Sequence, residues 1–399
     1  MRIDIFYGLR GAICLTGAAP MADHTASGGK KMALSPGTEK LRRYLETARE
    51  SITSGTTIHC VLGNEAADLD SMASALIYAY YSAADASAEP QRGVVPVIDI
   101  PRADFKLRTE AVYLFAEAGI DPAQLLFADD LDLDALHTAG TLQLTLVDHN
   151  KLSAARQQFS DCVTGIIDHH KDEGLFSSAA PRIIEPVGSA ATLVAELMLG
   201  RQELLETGSA TLLLGTILLD TVNLDPKAER ATPRDQQVVD TLLQLSGADQ
   251  QQLFDKLQQE KFNVSALDSA DLLRKDYKEW TLGPKQVGIA SVLLPIEDWL
   301  KKDPALSESL ARFAREHSLD VLIAMNAYTN PGFTRELAVY CPDEELRSRL
   351  LGFLKGSELQ LKPIGSSATD PATALFAQGN LAYSRKKLQP LLAEFFADA

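Results

Sequence analysis

Short hydrophobic blocks recur along the first half of the chain, and most of them are followed by acidic, amide or histidine residues. Apolar runs of about four to eight residues between polar turns are typical of buried strands. Between these runs lie longer stretches with helical spacing. We predict strands at residues 57–62, 94–100, 124–127, 141–147 and 162–167. We predict helices at residues 41–51, 71–81, 109–119, 190–199 and 209–220.

This alternation predicts an α/β fold with a mainly parallel sheet that helices cover on both faces. A polar helical region at 232–260 and a connector at 262–269 come next. A second alternation predicts strands at 286–293, 319–327 and 335–340, a helix at 307–316, and a carboxy-terminal helix after a basic segment at 384–387. We therefore expect a disordered extension at residues 1–37, a first domain at 38–262 and a smaller α/β domain at 263–399.

Composition agrees with a two-domain globular protein. The chain has 399 residues, of which 46% are hydrophobic and 23% are charged, and a single core seldom grows to that length. No apolar run approaches the roughly 20 residues needed to cross a bilayer. The net charge of −16 argues against a general nucleic-acid binder, whose binding face is normally basic. A polyanionic substrate stays open, because bound divalent cations reverse the local field.

The four cysteines are widely spaced and form no metal-binding or redox pair. This usage indicates reduced thiols, and we expect a cytoplasmic protein. Residues 1–20 weakly resemble a signal or transit segment, which leaves an organellar or vesicular pool open.

Four hydrophobic segments end in carboxylate or imidazole groups. Asp68 and Asp70 follow the first strand, Asp148 follows the strand at 141–147, the segment Asp168-His169-His170 follows the strand at 162–167, and Asp220 ends a helix. Because ligands of such sheets sit at the carboxyl ends of the strands, these groups can converge. Carboxylates and imidazoles suit Mn²⁺, Mg²⁺ or Co²⁺. A carboxylate such as Asp148 can bridge two ions.

Each of these residues has an ordinary structural alternative when it is taken alone. An aspartate at the end of an element is commonly a turn former or a helix cap, and a single histidine is commonly packed. Four segments that end this way, one of them with a histidine pair, favour a metal site.

The segments 63–71, 147–150, 168–170 and 219–221 resemble, in order, the four motifs of the DHH phosphoesterase superfamily. The segments Asp-Tyr-Lys-Glu-Trp at 276–280 and Ser-Arg-Lys-Lys at 384–387 resemble the two substrate-binding motifs of its DHHA2 domain. Within the superfamily, the chain is similar to cytosolic exopolyphosphatases of the yeast type, which are related to family II inorganic pyrophosphatases.

The resemblance implies two divalent metal ions. The first would be bound by Asp68 and Asp148, with Asn64 beside them as a further residue of the metal site. The second would be held by Asp70, Asp148, His169 and Asp220. Catalysis would depend on Asp70, Asp148 and His170. Substrate would be bound by His149, His170, Lys278, Arg385 and Lys386. Because the last three belong to the second domain, we expect the active site in a cleft between the domains.

The implied activity is hydrolysis of the terminal phosphoanhydride of inorganic polyphosphate, with no nucleic-acid or membrane partner and a monomeric state. A soluble inorganic pyrophosphatase is the nearest alternative, although pyrophosphatases carry histidine where this chain has Asn64. An oligonucleotide phosphodiesterase of the DHH type is a second alternative, although its Gly-Gly-Gly-His segment is absent here. An inactive interaction protein is a third, and it predicts damaged metal motifs, whereas these acids and histidines are all present.

Overall fold

The computed structural model describes residues 37–54, 56–86, 92–329, 332–365 and 370–397. The predicted disordered extension at 1–37 lies outside these residues except for Gly37. By internal packing, the chain divides into two compact units. The first contains the described residues up to Ile100 and Phe115–Gln250, and the second contains Pro101–Leu114 and the described residues from Gln251 onward. The predicted domain ranges, 38–262 and 263–399, stay a prediction.

The described chain up to the end of helix α8 is built from strands and helices in alternation, followed by a run of helices. Its strands are β1 (Thr57–Leu62), β2 (Arg92–Val97), β3 (Leu142–Val147), β4 (Val163–Asp168) and β5 (Arg182–Ile184). Its helices are α1 (Glu39–Ile52), α2 (Leu69–Ala86), α3 (Thr109–Glu117), α4 (Leu133–Thr138), α5 (Ala190–Leu199), α6 (Thr207–Asp220), α7 (Pro233–Ser246) and α8 (Gln250–Lys261). Helices α3 and α8 include residues of both units.

All strands of the first unit run parallel in one sheet, in the order β2-β1-β3-β4-β5. The predicted parallel α/β sheet is therefore confirmed. The chain passes from β1 outward to β2 and then returns across β1 to β3, so the connections leave β1 and β3 in opposite directions. A crevice forms at such a switch point, outside the carboxyl ends of the strands.

Burial explains why these strands are nearly continuous hydrophobic runs. Strand β1 is buried from Ile58 to Leu62, and β3 and β4 are buried at all but one position each. Parallel sheets are covered on both faces, so their strands lack the polar-apolar alternation of half-exposed strands. Helix α6 is buried at every residue from Gly208 to Leu219, as expected for a helix that is apolar on all sides.

The second unit is built on a mixed sheet. Its strands are β6 (Tyr277–Leu282), β7 (Lys285–Val292), β8 (Val321–Tyr328), β9 (Thr334–Tyr340), β10 (Leu361–Pro363) and β11 (Thr373–Gln378), in the order β10-β11-β9-β8-β7-β6. Only the β7–β8 pair is parallel. Its helices are α9 (Ser269–Lys275), α10 (Ile296–Lys302), α11 (Leu306–Glu316), α12 (Glu344–Gly356) and α13 (Arg385–Ala397).

Alternate residues of this second sheet enter two separate hydrophobic clusters. On β7 and β8, Val287, Ile289 and Ile323 belong to one cluster, whereas Ala290 and Leu322 belong to the other. Because successive side chains of a strand point to opposite faces, the sheet has a core on each side.

None of the helices that the structure describes is long and apolar enough to span a membrane.

Three predictions of local structure need correction. The predicted strand at 124–127 is wrong: Pro122–Gln124 forms a 3₁₀ turn capped by Asp121, and only Phe127 makes an isolated bridge, to Ile98. The helical region at 232–260 is two helices, because Gly247 ends α7 with φ of 68°. The basic segment at 384–387 does not precede the last helix, since α13 begins at Arg385.

Gly247 provides a test of the helix-end assignment. Its left-handed backbone disfavours any Cβ, although the space around the position is open. We expect Gly247→Ala to lower the free energy of unfolding by about 1 kcal/mol, measured by urea denaturation followed by circular dichroism. Gly352, exposed in helix α12 with open space around it, is the matched control. The same substitution there should raise stability, by about 0.5–1 kcal/mol; equal effects at both positions would contradict the assignment.

Candidate metal centre

The predicted metal ligands of the first unit meet at the carboxyl ends of its strands. Asn64 and Asp68 lie in the loop after β1, and Asp70 lies in the first turn of α2. Asp148 follows β3, and His169 follows β4. Asp220 is the last residue of α6, and the charges of Asp70 and Asp68 act on its carboxylate, which indicates that it lies near the same centre.

Asp148 and the histidine pair form the core of this centre. His169 Nε2 lies 3.3 Å from Asp148 Oδ1 and 3.7 Å from Asp70 Oδ2. His170 Nδ1 lies 3.6 Å from the same Asp148 oxygen. One potential ligand atom from each of Asp148, His169 and His170 lies within 4.8 Å of the others. This spacing fits the coordination shell of a metal ion.

The environment of the Asp148 carboxylate disfavours its negative charge. The residue is 3% exposed, and its backbone has φ of 63°, a left-handed conformation that is uncommon outside glycine. Burial, followed by the charge of Asp70, raises its pKa well above the ordinary range. Its Oδ1 atom is buried and accepts no aligned hydrogen bond, although His169 Nε2 is near. An oxygen in this state has a lone pair available for a cation.

Asp220 resembles Asp148 in having one buried oxygen without a hydrogen bond and a raised pKa. Its Oδ2 atom is buried without a hydrogen-bond partner. Burial raises the pKa of Asp220 well above the usual value, and the charges of Asp70 and Asp68 add to the rise. The two unpaired oxygens and the mutual repulsion of four carboxylates fit divalent metal ions, because hard cations prefer oxygen ligands and compensate buried negative charge.

Asp70 is anchored by the start of helix α5. Its Oδ2 accepts the N–H of Ala190 at 2.6 Å, and its Oδ1 accepts the N–H of Ala191 at 2.8 Å and the hydroxyl of Ser74 at 2.8 Å. The positive end of the helix dipole favours a carboxylate at this position. The orientation of Asp70 is therefore fixed by backbone groups before any ion binds.

His169 presents Nε2 to the carboxylates because its other nitrogen is occupied. Its Nδ1 lies 2.9 Å from the carbonyl oxygen of Val187, which can only accept, so Nδ1 carries the proton. Burial opposes a charge on this ring, but Asp148 and Asp70 outweigh it and raise the pKa of His169 to about 10. A metal-binding histidine typically donates its second N–H to a carbonyl or carboxylate in this way.

The side-chain amide of Asn64 is not oriented as a metal ligand would be. Its Oδ1 accepts the N–H groups of Ala66 and Ala67 at 2.9 and 3.1 Å. This fixes the amide, so that Nδ2 donates to Asp148 Oδ2 at 2.7 Å. In this arrangement, Asn64 orients Asp148 and does not turn an oxygen toward the ion site. Asp68 Oδ1 accepts the N–H of Ser71 at 3.1 Å at the start of α2.

His149 and His170, the predicted phosphate contacts, have different hydrogen-bond partners at Nδ1. His149 Nδ1 donates to the carbonyl oxygen of Val147 at 2.9 Å, and burial lowers the pKa of this ring. A neutral His149 has an acceptor at Nε2, which suits water or a protonated phosphate oxygen. His170 Nδ1 lies 2.7 Å from Asp168 Oδ1, so the proton of this nitrogen is held by Asp168.

Asp168, which the sequence placed only among the converging groups, and Asn150, which it did not single out, hold the histidine pair in place. Asp168 is fully buried and accepts the backbone N–H groups of His169 and His170 as well as the ring of His170. Asn150 Nδ2 donates to the other oxygen of Asp168 at 2.5 Å. Burial works against the charge of Asp168, but the hydrogen bonds from His170 and Asn150 lower its pKa. The adjacent Asp-His pairs at 148–149 and 168–169 were the available signal.

The predicted substrate-binding residues of the second unit lie on two of its elements. Lys278 is an exposed residue of β6, and Arg385 and Lys386 begin α13. Arg385 donates to the Asp276 carboxylate at 2.6 Å and to the Asp276 carbonyl oxygen at 2.7 Å. These two hydrogen bonds use two of the five guanidinium N–H groups, so three could donate to an anion.

Comparisons with known proteins agree with the motifs. The model of the DHH family, N-terminal domain, matches residues 59–218, and the model of the DHHA2 domain matches residues 255–395. Both resemblances seen in the sequence are confirmed, in the same order along the chain.

Curated relatives extend across most of the chain. It is 40% identical to "Exopolyphosphatase PRUNE1" of Bos taurus over 89% of this chain and 79% of that protein. It is 35% identical to a "Putative exopolyphosphatase" of Schizosaccharomyces pombe over 89% of this chain and 98% of that protein. It is 30% identical to a "Probable manganese-dependent inorganic pyrophosphatase" of Bacillus velezensis over 45% of this chain and 58% of that protein. The chain therefore belongs to the DHH–DHHA2 family of phosphoesterases that includes the proteins named exopolyphosphatase.

Proposed function

We propose that this protein is a metal-dependent exopolyphosphatase, which hydrolyses the terminal phosphoanhydride bond of linear inorganic polyphosphate and releases one phosphate. The observation that carries the proposal is the cluster of Asp68, Asp70, Asp148 and Asp220, in which two buried oxygens, Asp148 Oδ1 and Asp220 Oδ2, lack hydrogen bonds. The names of the relatives at 35–40% identity support polyphosphate as the substrate.

The proposed ions are two divalent cations, and the manganese-dependent relatives support Mn²⁺, with Mg²⁺ or Co²⁺ as alternatives. Asp68 and Asp148 would hold the first ion. Asp70, Asp148, His169 and Asp220 would hold the second, with Asp148 shared. Bound ions of this type neutralise phosphate charge and lower the pKa of a water molecule, which makes it a nucleophile at neutral pH.

The side chains of the protein supply orientation and charge. Asn64 fixes one oxygen of Asp148, so that the other faces the ion site. Asp168 Oδ1 lies 2.7 Å from His170 Nδ1, so that this ring would contact a phosphate oxygen through Nε2. Lys278, Arg385 and Lys386 would bind the anionic chain, Arg385 through its fork of N–H groups and the lysines as point charges. Their action together with the metal centre in one cleft stays a prediction.

The proposal includes a monomeric, cytoplasmic protein that does not bind nucleic acid. Support for the compartment comes from Cys60, Cys162 and Cys341, which are free, buried thiols. Reduced thiols are typical of cytosolic proteins.

A pyrophosphatase is the second candidate, and the relatives named pyrophosphatase favour it. Phosphate release from long polyphosphate, tripolyphosphate and pyrophosphate, compared at equal concentrations of phosphate ends with Mn²⁺ or Mg²⁺, separates the two. We expect hydrolysis of the two longer substrates and little hydrolysis of pyrophosphate. Preference for pyrophosphate would replace the proposal with the second candidate.

Asp148→Asn tests the metal centre. The amide keeps the shape but removes the charge, so we expect turnover to fall by more than the roughly 10–100-fold that loss of an outer-shell partner causes. Binding of Mn²⁺, measured by isothermal titration calorimetry, should fall with it. The metal-stripped variant should be at least as heat-stable as the metal-stripped wild type, because a repulsive buried charge is gone. Turnover near the wild-type value would refute the shared-ligand role.

Arg385→Ala tests substrate binding by the second unit. A hydrogen bond to a charged group contributes about 1.5–3 kcal/mol, which corresponds to roughly a tenfold to 100-fold increase in the KM for polyphosphate. The affinity for Mn²⁺ should stay at the wild-type value. Lys387→Ala is the matched control, because it removes a cation from the same helix turn, where Lys387 lies over the Tyr383 ring. An equal KM increase in both variants would show a general charge effect.

A further inference from the structure

The segment Val187–Ala191, called here the α5 turn, joins β5 to α5 and contacts two proposed ligands directly. The carbonyl oxygen of Val187 accepts from His169 Nδ1 at 2.9 Å. The N–H groups of Ala190 and Ala191 donate to Asp70 at 2.6 and 2.8 Å. A displacement of the α5 turn would therefore rotate His169 and release Asp70 together.

The α5 turn is itself fixed by a buried carboxylate that lies outside the metal centre. Asp235, in the first turn of α7, is 0% exposed. The N–H of Gly188 donates to both of its oxygens, at 3.0 and 2.9 Å. The hydroxyl of Thr192, in the first turn of α5, donates to its Oδ1 at 2.5 Å.

Asp235 also has an ordinary role in capping α7. Its Oδ2 accepts the N–H of Thr232 at 2.6 Å, and its own N–H donates to the Thr232 hydroxyl oxygen at 3.5 Å; these two contacts form a capping box. Its Oδ2 also accepts the Thr232 hydroxyl at 2.7 Å. A capping box needs only the two contacts that involve a backbone N–H. The bonds to Gly188 and Thr192 are additional, and a carboxylate supplies enough acceptor positions for all four donors.

Close packing holds Gly188 against this carboxylate. A Cβ at Gly188 would lie 2.5 Å from Thr221 Cγ2, 2.8 Å from the Arg230 carbonyl oxygen and 3.1 Å from Asp235 Cγ. Only glycine allows this approach of the backbone. The α5 turn therefore fits in one position only, with the N–H of Gly188 against the Asp235 carboxylate.

We propose that Asp235 is a positioning residue of the metal centre, which acts through the α5 turn on His169 and Asp70. This inference rests on the proposed function, because it assumes that these two residues bind metal. Partners in the outer shell of a metal site typically change metal affinity or activity by roughly 10–100-fold when they are removed.

Asp235→Ala with Thr232→Ala as the matched control separates positioning from helix capping. Both substitutions weaken the cap of α7 and should lower the thermal unfolding temperature of the metal-stripped protein. Only Asp235→Ala should weaken Mn²⁺ binding, by roughly 10–100-fold in calorimetry. Only Asp235→Ala should change the visible absorption bands of the Co²⁺-loaded protein, since these bands report ligand geometry.

Asp235→Asn covers the case in which the alanine variant does not fold. Whichever way the amide is turned, its N–H group faces the N–H of Gly188, so we expect a smaller loss of the same kind. A folded Asp235→Ala or Asp235→Asn protein with wild-type Mn²⁺ affinity and Co²⁺ spectrum would overturn the inference. So would an equal loss in Thr232→Ala. A wild-type protein that binds no Mn²⁺ would instead refute the proposed function, which distinguishes the two failures.

Discussion

The confinement of four carboxylates in one partly buried cluster is the constraint on which the first unit depends. Burial, followed by the charges of Asp70 and Asp68, raises the pKa of Asp148 and Asp220 well above ordinary values. Buried charges cost free energy unless they are paired and hydrogen-bonded. The folded chain meets this cost with fixed N–H donors around Asp70 and with the imidazole of His169. Divalent cations at the two oxygens without hydrogen bonds would complete the compensation.

The parallel sheet makes this concentration of charge possible. Strands β1 and β3 are neighbours although β2 separates them in the chain, and their carboxyl ends lie at a switch point. The flanking residues of each loop then orient one another across the crevice, as Asn64 does for Asp148 and Asn150 does for Asp168. The carboxylates of the centre are therefore oriented by backbone and amide groups, which stay uncharged at all ordinary pH values.

The second unit is built on a mixed sheet and carries the proposed substrate-binding cations. Its central strands are buried on both faces, and its edge strand β6 has mostly exposed or half-exposed residues. An exposed edge strand next to a helix start can carry cations such as Lys278 and Arg385 without the cost of burial. The pairing of Arg385 with the carboxylate and carbonyl oxygens of Asp276 limits the rotation of the guanidinium.

The hydrophobic runs alone were sufficient to predict the parallel sheet, because β1, β3 and β4 are buried along nearly their whole length and are therefore mostly apolar. The same signal failed at residues 124–127, whose hydrophobic side chains are buried without joining the ladder, and at β6, whose exposed positions leave no pattern. The acids and histidines of the centre could be identified from their positions after these runs. The roles of Asn64 and Asp235 could not, because their hydrogen bonds join residues far apart in the chain and exist only after the fold brings them together. Sequence by itself determined which chemical groups are available; the tertiary structure decided which of them face an ion and which hold the others in place, since orientation depends on contacts that no local pattern records.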